Sequence, residues 1–196
     1  LGRRPVPSER DAHYFGDRPV VLFPSVTHPH KNHATLIDAM VRVRHAVPDV
    51  VLVLTGGAGF AATEVAARIA EVDPHGSFIR HLGRIEEREL MGLLADADLV
   101  AFPSRYEGFG MPVLEAMHGG TPVVAADSTC LPEVVGDAGL LLDVDDVEAW
   151  ASTIVDLLGR PEQRAEMAAA GAVRAERWAA PIAAATLVEA WRDAAR

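Results

Sequence analysis

The stretch PSRYEGFGMPVLEAMHGGTPVVA, residues 103–125, contains a glycine-bearing turn, a helix-like segment and a short apolar run. Another apolar run, Leu99–Phe102, comes directly before it. Short apolar runs separated by a turn and a helix predict a β–loop–α–β unit. Two carboxylates, Glu107 in the turn and Glu115 in the helix, are then expected to face the crevice above a parallel sheet.

The same alternation continues on both sides of this stretch. Strands are predicted at residues 20–23, 49–55, 77–80, 99–102, 122–125 and 139–142. Helices are predicted at residues 31–44, 62–71, 86–95 and 147–158, and again from Pro161. Continuous apolar strands indicate a parallel sheet covered on both faces, and right-handed crossovers make such a sheet doubly wound. We therefore predict an α/β fold: a single Rossmann-like doubly wound domain with about six parallel strands and a helical C-terminal tail.

The length of 196 residues suits one such domain. Residues 1–18 carry prolines and charges without an apolar period, which predicts a linker or arm. The domain is then expected to occupy residues 19–180, with a C-terminal helix at 181–196.

Composition narrows the class of function. A formal net charge of −10 argues against nucleic acid as a partner. The single cysteine, Cys130, excludes an internal disulfide and a cysteine-based metal site, which fits a reducing compartment. The apolar runs are far shorter than the roughly 18–20 residues that a membrane span requires. We expect a cytoplasmic protein.

Five loops should border one crevice, because ligands of doubly wound sheets bind beyond the carboxyl ends of the strands. These loops are residues 24–33, 56–61, 82–86, 103–111 and 126–132.

In the fourth loop, Gly108 and Gly110 precede a helix that has Pro112 in its first turn. Unpaired N–H groups and the positive end of the helix dipole can hold an anion or sugar hydroxyls there, although a plain strand–helix turn has the same pattern. Glu115 is an ionised, acceptor-only group at pH 7 and suits a vicinal diol such as a ribose. The alternative is a solvated helix residue.

Lys31 lies in HPHKNH, residues 28–33, directly before the first predicted helix. An ammonium beside a helix N-terminus predicts a diphosphate pocket, and the alternative is an exposed lysine. The neighbouring His28, His30 and His33 suggest a metal, but no nearby carboxylate or cysteine completes a ligand set.

Two further patterns, a pair of aspartates and a glycine-rich turn, do not predict a binding site. Asp96 and Asp98 imitate a metal-binding pair, yet they flank a helix end and a strand start, where polar residues are usual. The sequence GGAG at residues 56–59 is not a complete dinucleotide fingerprint, and the first βα turn has no glycine.

These segments together resemble the C-terminal, sugar-donor-binding domain of the retaining GT-B glycosyltransferases of family 4, the "group 1" family that includes mannosyltransferases. The resemblance rests on SRYEGFGMPVLEAM at 104–117 with its two glutamates separated by seven residues, and on GTPVVA at 120–125. It is supported by LPEVVGDAGLL at 131–141, by Arg177 and Trp178, and by Trp191.

The resemblance implies a role for each matching residue. Glu107 would be catalytic and lie against the transferred sugar, Glu115 would accept the ribose hydroxyls, and Lys31 would meet the diphosphate. The remaining contacts would come from the main chain of Gly108, Phe109 and Gly110, and from a base-binding loop of Gly83, Arg84 and Ile85. Where the family commonly has an arginine, this chain has Ser25; Ser25 itself, Arg84 or Arg105 could contact the phosphate.

The resemblance also implies a GDP- or UDP-linked sugar as co-substrate, with no cofactor and no metal. The acceptor-binding half of a GT-B enzyme has no counterpart in this sequence, so we expect this domain to be inactive alone. A lipid-linked acceptor would bring the protein to the inner face of a membrane. A GT-B-like epimerase or phosphorylase is an alternative, but Lys31 is the only lysine and lies in the wrong loop to anchor pyridoxal phosphate. A non-catalytic nucleotide-sugar-binding module is another.

Overall fold

Six parallel strands form one sheet in the computed structural model, which describes residues 15–178. The strands are β1 (Val20–Pro24), β2 (Val51–Thr55), β3 (Ile79–Gly83), β4 (Leu99–Phe102), β5 (Val123–Ala126) and β6 (Leu140–Leu142). Their order across the sheet is β3-β2-β1-β4-β5-β6. All five neighbouring pairs are parallel.

Seven α-helices cover the sheet in the described part of the chain. They are α1 (His33–Ala46), α2 (Ala62–Val72), α3 (Glu87–Asp96), α4 (Met111–Gly119), α5 (Leu131–Val135), α6 (Val147–Leu158) and α7 (Pro161–Glu176), and a short 3-10 turn, Pro29–Lys31, precedes α1. α1 packs against α2 and α6, whereas α4 packs against α3 and α7. This division matches right-handed crossovers running in opposite directions from the centre of the sheet.

The core lies on both faces of the central strands. Every residue of β1, β2, β4 and β5 is buried, as continuous apolar strands in a parallel sheet require. Phe23 of β1 meets Phe102 of β4 edge-on, with 5.3 Å between ring centres. Trp150 of α6 is fully buried, and its indole N–H donates to the carbonyl of Asp143 at 2.9 Å. The predicted fold class is confirmed.

The position of the site follows from the strand order. From β1 the chain continues to β2 on one side, and from β4 it continues to β5 on the other. The helices that follow these two adjacent strands therefore lie on opposite faces of the sheet, and doubly wound sheets bind ligands at such a divergence.

The structure corrects several predicted boundaries. β3 begins at Ile79 rather than residue 77, because the Asp73 carboxylate accepts the N–H groups of Ser77, Phe78 and Ile79 in a tight turn. α1 begins at His33 rather than residue 31, because Asn32 has a φ of +58° and interrupts the helix.

α5 was not predicted, since it has only five residues. The predicted C-terminal helix and residues 1–14 of the predicted arm lie outside the described residues. Within residues 15–178, every helix falls short of the length and apolarity that crossing a membrane would require.

Candidate functional site

A cleft of about 280 Å³ opens at this divergence, beyond the carboxyl ends of β1, β2 and β3 and beside the start of α4. It is lined by Pro24, Ser25, Val26, Lys31, Thr55, Gly56, Arg84, Ile85, Leu90 and Pro112. Four of the residues predicted to bind a ligand, namely Ser25, Lys31, Arg84 and Ile85, are thus brought together.

The Lys31 ammonium and the Glu107 carboxylate form an ion pair across the crevice, with 2.6 Å between Nζ and Oε1. The two side chains are only 16 % and 9 % exposed. Nζ also lies 5.8 Å from the centre of the Phe102 ring, within range of a cation–π contact. The loops after β1 and β4 therefore place one positive and one negative group together at the edge of the cleft.

The loop after β5 makes two hydrogen bonds to Glu107 but contributes no lining residue to the cleft. The main-chain N–H of Glu107 donates to Thr129 Oγ1 at 3.1 Å, and the thiol of Cys130 donates to the Glu107 carbonyl at 3.5 Å. Thr129 has a φ of +46°, which is unusual for a β-branched residue and is often associated with functional sites. No sequence pattern marked Thr129 as part of the site.

Glu115 lies in α4, three residues after the cleft-lining Pro112 and therefore on the same face of the helix. It is partly buried, and this burial raises the pKa of its carboxyl group, with a further contribution from the negative charge of Glu87. Hydroxyl donors arriving at this carboxylate would favour its ionised form.

The N-terminus of α4 has no side-chain cap among the described residues. Gly110 precedes it with a φ of +79°, and a Cβ there would lie 3.1 Å from Leu131 Cδ2. Gly108, Phe109 and Gly110, whose main-chain N–H groups were predicted to bind the ligand, directly precede the positive end of this helix, and none of the three lines the cleft. The Phe109 ring does not line the cleft and meets Trp178 edge-on at 5.3 Å.

The floor of the cleft depends on close main-chain approaches between the ends of β1, β2 and β3. The N–H of Ser25 donates to the Thr55 carbonyl at 2.7 Å, and that of Gly56 donates to Gly83 at 2.7 Å. Gly56 has a φ of +126°, and a Cβ at this position would lie 2.3 Å from the Ser25 carbonyl oxygen. Only glycine permits this approach.

The two arginines suggested for the phosphate have different surroundings. Arg84 lines the cleft, directly after Gly83. The Arg105 guanidinium instead contacts the carboxylate of Asp145, with one N···O distance of 2.8 Å, and the side-chain oxygen of Asn32 at 3.2 Å. Asn32 and Asp145 were not singled out from the sequence.

The three histidines and Asp98, which suggested a metal, make other contacts in the structure. His28 and His30 stack with 5.6 Å between ring centres, and burial lowers the pKa of His33 to about 4, helped by His81 and Lys31. Asp98 accepts the N–H of Val20 at 2.9 Å. Within residues 15–178, no three or more histidine, cysteine, aspartate or glutamate side chains are grouped to hold a metal ion.

Comparison with known proteins defines the class. Residues 7–174 match the family described as glycosyl transferases group 1, and the chain belongs to this family. It is 37 % identical over 161 residues to the O-antigen chain mannosyltransferase B of Escherichia coli, covering 80 % of this chain and 41 % of that protein. It is also 37 % identical over 172 residues to the GDP-mannose-dependent alpha-(1-6)-phosphatidylinositol monomannoside mannosyltransferase of Mycolicibacterium smegmatis, covering 83 % of this chain and 44 % of that protein.

Solved structures agree with this assignment, and the structural neighbours are GT-B glycosyltransferases. Sucrose-phosphate synthase from Thermosynechococcus elongatus superposes with a TM-score of 0.79 at 26 % identity, over 92 % of this chain and 47 % of that one. Anabaena HepE in complex with UDP and glucose has a TM-score of 0.76 at 28 % identity, over 86 % and 46 %. These matches are to glycosyltransferases and do not favour an epimerase or a phosphorylase.

Proposed function

We propose that this chain is the sugar-donor-binding domain of a retaining family 4 glycosyltransferase, and that the cleft binds a nucleotide-diphospho-sugar. The observation that carries the proposal is the Lys31–Glu107 ion pair at the edge of the cleft. The bound UDP and glucose of the HepE structure and the GDP-mannose dependence named for the Mycolicibacterium relative support a ligand of this kind.

Each part of the ligand has a proposed chemical counterpart in the cleft or beside it. Ile85 and Arg84 would lie against the base, and Glu115 would accept the ribose hydroxyls. The diphosphate would meet Lys31, with Arg84 as the available second cation, and the transferred sugar would extend towards Glu107.

Positive groups at the cleft would stabilise the departing diphosphate. Lys31 and the uncapped N-terminus of α4 both favour negative charge at this position. We propose that they act without a metal ion. Because the net charge of the chain is −10, an anionic ligand has to be attracted by local positive groups of this kind.

The acceptor is proposed to bind outside this chain. The chain spans about two fifths of the length of the curated relatives it matches, 41 % and 44 % in the two cases above. A separate acceptor-binding domain would complete the site opposite Glu107, and this chain alone would bind the sugar donor without turnover. A cytoplasmic location, with peripheral membrane contact for a lipid-linked acceptor, is part of the same proposal.

Calorimetry with GDP-mannose and UDP-glucose tests the proposal. We expect one of them to bind to the chain, and Glu115→Gln to weaken that binding about 10- to 100-fold, because hydrogen bonds to a charged group contribute about 1.5–3 kcal/mol each. Glu166→Gln, on the exposed surface of α7, is the control and should bind as the unmodified chain does. Equal affinity in both variants would contradict the ribose role of Glu115.

A further inference from the structure

The segment that carries Lys31 is held by side-chain contacts outside the cleft. Asn32 directly follows Lys31, and its side-chain amide donates to the Val144 carbonyl at 2.8 Å. Its side-chain oxygen accepts from the Thr35 hydroxyl at 3.0 Å and from Arg105 at 3.2 Å. These bonds tie the turn to the first turn of α1, to the loop after β4 and to the loop after β6.

Arg105 makes the central connection in this network. Its main-chain N–H donates to the His30 carbonyl at 2.7 Å, directly before Lys31. Its guanidinium reaches the two carboxylate oxygens of Asp145, which lies between β6 and α6 and does not line the cleft. The main-chain N–H of Asp145 donates in turn to the Asp143 carboxylate at 2.9 Å.

The main chain of this segment needs such support. Asn32 holds a φ of +58°, a left-handed conformation that non-glycine residues adopt rarely and asparagine more readily than most. The 3-10 turn before it has only three residues and contributes little rigidity of its own. The contacts to Asn32 and His30 therefore fix the main-chain position from which the Lys31 side chain extends.

We propose that Asn32, Arg105 and Asp145 are positioning residues for Lys31. They hold residues 29–32 so that the ammonium stays against Glu107 at the edge of the cleft. Arg105 thus acts on the diphosphate through Lys31 and is not itself a phosphate ligand. This inference rests on the proposed function for the identity of the ligand, but the geometry of Lys31 can be measured without any ligand.

The single lysine of the sequence gives a direct measurement. Lysine labelled with ¹³C at Cε produces one Cε–Hε NMR signal, from Lys31. We expect Asp145→Asn and Asn32→Gly to move this signal towards that of a free lysine in the ligand-free chain. Asn32→Gly keeps a residue that adopts positive φ, so its effect is due to the lost amide. Asp38→Asn, which breaks the Arg68–Asp38 pair between α1 and α2, is the control and should leave the signal unchanged.

Pyrophosphate titrations of the same samples give the second measurement. Asp145→Asn should weaken pyrophosphate binding about two- to fivefold, the range expected for an exposed ion pair.

Three results would overturn the proposal. The first is an unchanged Lys31 signal in both Asp145→Asn and Asn32→Gly. The second is pyrophosphate binding to Asp145→Asn with unchanged affinity. The third is tighter binding to this variant, which would mean that Asp145 withholds Arg105 from the phosphate. If the Lys31 signal responds as expected but no nucleotide sugar binds to the unmodified chain, the proposed function fails while the positioning role stands.

Discussion

Replacing Glu107 by glutamine should change the affinity of the cleft for phosphate in a direction that identifies what Lys31 does. The substitution removes a negative charge 2.6 Å from the Lys31 ammonium and keeps the size of the side chain. In the ligand-free chain Lys31 already has an anionic partner. A phosphate group that binds Lys31 must therefore share the ammonium with Glu107 or displace the Glu107 carboxylate from it.

The size of the effect follows from the distances. A phosphate oxygen in contact with Nζ would lie about 5 Å from the Glu107 carboxylate, and the repulsion between two unit charges at that separation is about 1 kcal/mol in water and about 3 kcal/mol at an effective dielectric constant of 20. The pair is mostly buried but lies beside an open cleft, so a value of about 1–2 kcal/mol is appropriate. Glu107→Gln should then bind pyrophosphate about 5- to 30-fold more tightly.

Calorimetry with pyrophosphate at two salt concentrations measures this directly, with Glu166→Gln as the matched control. The gain should be larger at low salt, because screening weakens both the attraction and the repulsion. A second titration compares a nucleoside diphosphate with the corresponding nucleotide sugar. Glu107→Gln should lose the preference for the sugar-bearing ligand, since Glu107 is proposed to contact that sugar. Unchanged or weaker pyrophosphate binding in Glu107→Gln would refute a phosphate role for Lys31.

Three further predictions concern stability and are checked by unfolding measurements. His33 is 2 % exposed and its pKa is lowered to about 4, so the unfolded chain binds a proton at this residue more tightly than the folded chain does. The free energy of unfolding should therefore fall by up to about 3 kcal/mol as pH decreases from 6.5 to 4, and His33→Phe should remove this pH dependence. Burial opposes ionisation of Asp73, but hydrogen bonds from the N–H groups of Phe78, Ser77 and Ile79 outweigh this effect and lower its pKa to about 2. Asp73→Asn should therefore lower the free energy of unfolding by about 2 kcal/mol above pH 4, and this difference from the unmodified chain should vanish as pH falls from 4 to 2. Gly56→Ala should destabilise the fold by about 2 kcal/mol or more, because the added Cβ would collide with the main chain of Ser25. Gly57→Ala is the control and should leave the stability unchanged, since its added Cβ meets nothing within 4 Å; equal stability of the two variants would contradict the close approach at Ser25.

Most of the strands were predicted well, because a strand buried on both faces appears in the sequence as a continuous apolar run. Residues 99–102 form a continuous apolar run and occur in the structure as β4 with the predicted bounds. The start of β3 was predicted two residues too early, because the N–H groups of Ser77 and Phe78 bond to the Asp73 carboxylate in a turn that the apolar pattern does not reveal. The bounds of α1 were displaced for a different reason, since a single left-handed residue, Asn32, separates the 3-10 turn from the helix.

The site was predictable in part. Sequence spacing placed Lys31, Glu107 and Glu115 at one edge of the sheet, because each lies just beyond the carboxyl end of a predicted strand or in the helix that follows. The direct pair between Lys31 and Glu107 depends on how two loops curve towards each other, which no local pattern encodes. Asp145 lies 40 residues after Arg105, so their contact becomes visible only once β6 is placed beside β5.

One NMR titration tests most directly the claim that a single nucleotide-diphospho-sugar spans this cleft. The Lys31 Cε–Hε signal reports the proposed phosphate end, and the Ile85 δ1-methyl signal reports the proposed base end. We predict that pyrophosphate shifts only the Lys31 signal, that the nucleoside shifts only the Ile85 signal, and that the nucleotide sugar shifts both with one dissociation constant. A nucleotide sugar that shifts neither signal at saturation, or that shifts them with two different dissociation constants, would contradict the account.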